Sequence, residues 1–240
     1  MIKLAVSGLA RRHRVAINAG GSIVAPDEMD AGFLRGLGDI LIRASEERDL
    51  LIVVGGGRTA RRYIEAGRAL GADEGSLDHL GIEATRLNAR LLMTALGERA
   101  HPGVPSSVEG ALEALGTHPV VVMGGTIPGQ TTDAVSAMLA QRAEAVEMIV
   151  LTNVDGVYTA DPRKDPSAER LERIPASRLV EIVGGGSYEA GSSTVVDPVA
   201  AGIIQSSHIP TKVLDGRDLD QVSAALAGED FRGTLVTPDG

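Results

Sequence analysis

The chain contains no cysteine, which excludes both a disulfide framework and a thiolate zinc site. Its five histidines, His13, His79, His101, His118 and His208, show none of the spacings by which imidazoles share a metal. Any metal must therefore be held by oxygens. Lysine is scarce too: of 23 basic residues only Lys3, Lys164 and Lys212 are lysines, so phosphate chemistry would fall to arginine or to a metal ion. No run approaches the roughly 18 apolar residues of a membrane span. The opening MIKLAVSGLARRHR sets a short apolar piece before its basic residues, the reverse of a signal peptide. A net charge of −9 over 240 residues opposes a non-specific grip on nucleic acid or anionic membrane, since both require a basic footprint. These absences predict a cytoplasmic protein that acts on a small molecule, with neither nucleic acid nor membrane as partner.

Hydrophobic residues make up 43% of the chain and charged residues 23%, the balance of a soluble globular protein rather than a disordered one. The length suits one domain. Short apolar runs recur: VAIN (15–18), LLIVV (50–54), PVVVM (119–123), EMIVLT (147–152), TKVL (211–214) and TLVT (234–237). Continuous runs of this length predict strands buried on both faces. Between them Ala60, Tyr63, Ile64 and Gly67 fall at helical spacing, as do Leu77, Leu80, Ala84, Leu87, Leu91 and Leu92. Strand–helix repetition predicts an α/β fold, a mostly parallel sheet with helices on both faces. No internal repeat or low-complexity tract is evident.

Such sheets bind ligands beyond the carboxyl ends of their strands. Here four strand runs end in loops rich in glycine, hydroxyl or acidic residues: AGGS, GGGRTARRY, GGTIPGQTTDA and NVDGVYTADP. Gly20, Gly21 and Ser22 suit either a tight turn or an anion cradle, because paired glycines allow positive φ and bare N–H groups. Gly55, Gly56 and Gly57 open a segment with Arg58, Arg61 and Arg62, a combination that fits phosphate at a helix N-terminus or a plain turn with a solvated basic face. Neither the Walker A nor the Rossmann spacing is present. The third loop offers Thr126, Gln130, Thr131 and Thr132 to a hydrogen-bonding ligand. Equally, Thr131 or Thr132 would cap the following helix, with Pro128 stiffening the turn. In the fourth, Asp155-Gly156 and Asp161-Pro162 are turn signals, beside Thr152, Asn153 and Tyr158. The stretch 184–198, GGGSYEAGSSTVVDP, reads as a surface or active-site loop.

Taken together, GGS, VVGGGRTARRYI, LDHLGIEATRLNARLL, MGGTIPGQTTDAVSAMLA, TNVDGVYTADPRKDP and AGSSTVVDPVAAGII closely resemble the archaeal type of uridylate (UMP) kinase, in the amino acid kinase superfamily. The likeness spans roughly residues 14–238. It implies a three-layer αβα sandwich around a mainly parallel sheet, one domain over 14–240 with residues 1–13 as an extension. The acceptor UMP would lie over the N-terminal half and the donor ATP over the C-terminal half. Position by position, it implies that Gly21, Ser22, Gly57, Arg61, Thr152, Asn153, Tyr158 and Asp161 meet ATP. It implies likewise that Gly56, Asp78, Thr126, Ile127, Pro128, Gly129, Gln130, Thr131 and Thr132 meet UMP. Magnesium carried on nucleotide phosphates and a homohexamer built from dimers are implied as well.

One departure stands out. Much of the superfamily has lysine two residues before the glycine pair, where this chain has Asn18. Our reading assigns catalysis to Arg61 and magnesium as charge stabilisers, to Asn18 as a neutral donor orienting a phosphate oxygen, and to Asp155 as an organiser of loop or metal. The attacking phosphate oxygen has a second pKa of about 6, so no general base is required. Two other readings keep the fold: a kinase of another small phosphate such as isopentenyl phosphate, and a non-catalytic nucleotide- or oxyanion-binding storage protein.

Overall fold

All six apolar runs form strands because both faces of the sheet they build are covered. The computed structural model describes residues 12–160, 162, 165–184 and 195–239. In chain order its elements are β1 (His13–Ala19), α1 (Gly21–Val24), α2 (Ala31–Ala44), β2 (Arg48–Val54), α3 (Gly57–Ala69), α4 (Glu74–Leu96), α5 (Val108–Ala114), β3 (Val120–Met123) and α6 (Thr132–Arg142). They continue with β4 (Glu147–Thr152), β5 (Val157–Tyr158), β6 (Arg170–Leu171), β7 (Arg173–Pro175), α7 (Ala176–Gly184), α8 (Pro198–Ser207), β8 (Thr211–Asp215), α9 (Leu219–Ala227) and β9 (Thr234–Thr237). β1 begins inside the 1–13 segment that the family likeness leaves out, and Arg12 pairs with Asp49 at 3.1 Å. The chain therefore joins the sheet one residue earlier than expected.

The main sheet has seven strands in the order β3-β2-β1-β4-β8-β9-β7. β1 pairs in parallel with β2 and β4, β2 with β3, and β4 with β8. β9 turns antiparallel to β8, and β7 runs parallel to β9. The mainly parallel αβα sandwich expected from the sequence is therefore present. β5 and β6 form a separate antiparallel ribbon. β5, β6 and β7 were not foreseen, since they are two or three residues long and carry no periodic signal.

Alternation along the strands sorts the core. Ile17, Leu50, Ile52, Val54, Val122 and Leu151 face α2, α4 and α9. Ala16, Met148 and Val150 face α6, α7 and α8 on the other side, where Leu51, Val53 and Met123 meet α5 and α6. Each fully buried Leu, Ile or Val contributes about 1.5–3 kcal/mol. Two residues of the expected helical stripes depart from this scheme: Tyr63 and Leu87 are 56% and 57% exposed. The hairpin of α3 and α4 closes through Gly67, where an added Cβ would lie 2.8 Å from Leu80 and 2.9 Å from Leu77. That contact leaves the flanks of both helices outward.

Helix starts divide into two kinds. Asp30, Asp73, Ser107, Thr131, Asp197 and Asp218 cap α2, α4, α5, α6, α8 and α9 with a side-chain oxygen. α1 and α3, which follow β1 and β2, start on Gly20 and Gly56 without any side-chain cap. Their first N–H groups have no partner within the helix, and both lie at the carboxyl edge of the sheet. The sheet also reverses its winding there, between β1 and β4, the position where open α/β sheets bind ligands.

Candidate functional site

The first two glycine turns are packed on one another. Gly20 N–H donates to Leu151 O and Gly55 N–H to Ala19 O, both at 2.9 Å, tying β1 to its two neighbours. A Cβ on Gly21 would lie 1.9 Å from Gly57 N, and one on Gly57, whose φ is +56°, would lie 2.2 Å from Gly21 O. Only glycine permits this approach. From α4, the buried Asn88 amide donates to Gly55 O at 2.9 Å and Gly56 O at 3.0 Å. Gly21, Ser22, Gly56 and Gly57 are thus brought together. On α3, Arg58 and Arg62 reach Asp27 at 2.8 and 3.5 Å. Arg61 is exposed and has no ion-pair partner among the described residues.

The third loop is fastened to α4. Thr85 Oγ1 accepts from Gly125 N–H at 2.6 Å, while Arg86 donates to Gly125 O and Thr126 O at 3.3 and 3.2 Å. Asp78, one turn into α4, accepts from Gly129 N–H at 2.8 Å. Inside the loop Thr126 donates to Gln130 Oε1 at 2.7 Å, leaving Ile127, Pro128 and Gly129 exposed. Thr131 caps α6 through Ala134 N–H at 3.0 Å, and Thr132 O accepts from Ser136. The capping role considered from the sequence is therefore real, and Asp78 joins the 126–132 loop.

Beyond β4, Asp155 is a hub. It accepts from the Tyr158 hydroxyl at 2.7 Å and from Arg232 at 2.9 Å, with Arg170 at 3.9 Å. Partial burial acts to raise its carboxyl, but Tyr158 and Arg232 outweigh this and hold it below the usual carboxylate range. The same hydrogen bond to Asp155 pushes the Tyr158 hydroxyl up. Asp155 thus organises its loop through side chains, more than a bare turn would need. Thr152 O accepts from Gly216 N–H at 2.9 Å, and Asn153 O accepts from Arg217 at 3.1 Å. The β8 strand end, with Asp215, Gly216 and Arg217, is a fifth contributor that the sequence did not flag. Asp161 lies outside the described residues.

Beneath these loops sits Asn18, 2% exposed. Its Nδ2 donates to Asp133 Oδ1 at 2.8 Å, and its Oδ1 is buried without a hydrogen-bond partner. Asp133 is half-buried in the first turn of α6. Burial pushes its carboxyl up to about 6; the Asn18 amide opposes the rise and the Asp197 charge adds to it. Asp197, 4% exposed, caps α8 through Ala200 N–H at 2.9 Å and accepts from the Thr131 hydroxyl. Val196 and Asp197 show that the end of the 184–198 stretch is packed inward; residues 185–194 lie outside the described residues. Asp133, Asp197, Thr85 and Asn88 had no role assigned from sequence. For the α4 pair the signal was available, as polar residues in register with Leu77, Ala84 and Leu92.

Compared with known proteins, residues 13–215 match the Amino acid kinase family. The chain is 47% identical to the uridylate kinase of Pyrococcus abyssi, over 94% of this chain and all of that one. It is 47% identical to that of Methanospirillum hungatei, over 94% and 95%. Among solved structures it resembles the uridylate kinase of Archaeoglobus fulgidus, with a TM-score of 0.85 at 40% identity over 94% of this chain and 100% of that one.

Proposed function

The chain belongs to the amino acid kinase family, and from that premise we propose that it is a nucleoside monophosphate kinase transferring the γ-phosphoryl group of ATP to UMP, giving ADP and UDP for pyrimidine nucleotide synthesis. One observation carries the reading: the uncapped glycine turns after β1 and β2 touch at Gly21 and Gly57. Two phosphates bound on adjacent turns would be held side by side, which is the chief requirement of phosphoryl transfer. The full-length likeness to uridylate kinases supplies the acceptor's identity.

In this reading N–H groups of Gly21, Ser22 and Gly57 bind donor phosphates, and Arg61, with no ion-pair partner among the described residues, stabilises charge on the transferring group. Gly56 receives the acceptor phosphate. Asp78 and the 126–132 loop enclose the UMP, with the exposed 127–129 tip free to adjust. Thr152, Asn153, Tyr158 and Asp161 line the ATP. Acceptor phosphate oxygens are largely anionic at neutral pH, so no side chain is needed as a base.

Among the described residues no three His, Asp or Glu side chains are grouped to hold a metal. Magnesium ligands would come mainly from phosphate oxygens and water, and the orphaned Asn18 Oδ1 with Asp133 are the protein oxygens that fit such an ion. When bound it supplies charge neutralisation. Exposed Tyr63, Leu70 and Leu87 on α3, its C-terminus and α4 support assembly into the expected homohexamer.

Turnover of UMP, CMP, dUMP and isopentenyl phosphate, measured side by side with ATP, tests the assignment. UMP is expected to lead. Preference for isopentenyl phosphate, or tight ATP binding with no turnover of any acceptor, overturns it.

A further inference from the structure

Three consecutive glycines follow β2, and one buried side chain on α4 meets the carbonyls of the first two. Asn88, 1% exposed, donates from Nδ2 to Gly55 O at 2.9 Å and to Gly56 O at 3.0 Å. An amide nitrogen carries two hydrogens, so each carbonyl can receive one. Only this orientation of the amide fits, since both partners are acceptors. Asn88 is held in turn by its own helix, because Ala89 and Leu92, both fully buried, fix α4 in the core on one face of the sheet.

A trans peptide points its C=O and N–H in opposite directions. With Gly55 O and Gly56 O turned toward α4, the N–H groups of Gly56 and Gly57 are turned away from it, and neither has a partner among the described residues. The two peptides are not equally secured. Gly56 O also accepts from Ala60 N–H at 3.0 Å, at the start of α3, whereas Gly55 O has Asn88 alone among the described residues. Glycine on both sides lowers the backbone resistance to rotation of the Gly55–Gly56 peptide, since neither residue carries a Cβ. Rotated, that peptide would present a carbonyl oxygen in place of an N–H, and an anion there would be repelled.

We propose that Asn88 is a positioning residue: it holds the Gly55–Gly56 peptide with the Gly56 N–H outward, where that group receives the phosphate of the acceptor. The role of the acceptor rests on the kinase reading, and Asn88 itself touches no substrate. Because the Gly56–Gly57 peptide keeps its bond to Ala60, donor binding depends on Asn88 far less. Asn88 therefore serves one substrate above the other, a signature that a general packing role would not leave.

Asn88→Leu nearly keeps the volume and removes both donors. A hydrogen bond to a charged group is worth about 10- to 100-fold in binding, so kcat/KM for UMP is expected to fall by that factor while KM for ATP stays within about threefold. Leu92→Val, one turn further along the same buried face, should lower the urea midpoint and leave both constants unchanged. If Asn88→Leu does not fold, Asn88→Ala carries the same measurement. A second readout needs no turnover. In the full chain isotope-labelled on the nitrogen and carbonyl carbon of glycine, only amides that follow a glycine carry both labels, and inorganic phosphate should shift the Gly56 resonance in the wild type but not in the variant. Wild-type kcat/KM for UMP in the variant, an equal loss on ATP, an equal loss in Leu92→Val, or a Gly56 amide that ignores phosphate in the wild type overturns the proposal. Absence of turnover with any acceptor would instead sink the kinase reading, and the phosphate titration would still decide the role of Asn88.

Discussion

At the start of the parallel strands, Glu147 of β4 lies 2.8 Å from Arg48 of β2 and 2.7 Å from Lys212 of β8, and Arg12 reaches Asp49. At the other end of the same sheet, Asp133 and Asp197 sit as deeply with no cation beside them among the described residues, and two glycine turns hold N–H groups free of side-chain caps. One end pairs Asp49 and Glu147 with cations from within the chain. The other leaves backbone N–H groups without side-chain caps at the turns after β1 and β2, and two carboxylates without an ion-pair partner among the described residues. The difference separates what holds the sheet together from what the sheet presents to ligands.

The strongest way to break that division is at the glycine contact. Gly57→Ala forces a side chain into left-handed backbone, at about 1–3 kcal/mol, and drives a Cβ to 2.2 Å from Gly21 O. Displacing the turn by about 1 Å is expected to lower UMP turnover roughly 100-fold. Gly71→Ala is the comparison: its φ is +82° but nothing lies within 4 Å. It should share the strain, read as a lower urea midpoint, and keep its turnover. Equal turnover in the two variants would mean that the packed turns do not position the phosphates.

Glu147→Gln sharpens the other end. It leaves Arg48 and Lys212, 26% and 12% exposed, facing a neutral group. Breaking a buried pair costs about 3–5 kcal/mol, and residual exposure lowers this to about 2–3. Urea unfolding should show that loss while turnover below the unfolding range stays at the wild-type value. A fall in turnover without a fall in stability would erase the distinction between the two ends.

The sequence made these two ends legible to different degrees. Burial on both faces writes a continuous apolar run, so all six long strands could be read, and close backbone approach demands glycine, so the turns could be too. What escaped depends on partners distant in the chain. Asn18 meets Asp133 115 residues away, and Thr131 meets Asp197 66 residues away. Nothing local distinguishes an amide that will face phosphate from one that will face a carboxylate. Asp197 looks like an ordinary helix cap, and it is one; its proximity to Asp133 arises from the packing of α8 on α6. β8 ends in DGRD with none of the glycine richness that marked the other loops, because its contribution is made by Arg217 reaching Asn153.

The smallest expected effect lies at the outer margin of the ligand end, where charges are matched as they are at the opposite end. Arg232, 68% exposed, pairs with Asp155 at 2.8 Å. Its removal in Arg232→Ala should cost only about 0.2–1 kcal/mol, the range of solvent-exposed pairs. The sign with pH is fixed by the depressed Asp155 carboxyl. A carboxyl held low in the folded state adds stability above its unfolded pKa, and that contribution is lost as pH falls through the folded value. Urea midpoints of wild type and variant should therefore differ near pH 7 and converge in acid, below the ordinary carboxylate range. A constant gap at all pH values would assign the loss to packing of the arginine stem. Arg232 would then not be an electrostatic anchor for Asp155, and the Tyr158 hydroxyl and Arg170 would be left to hold it.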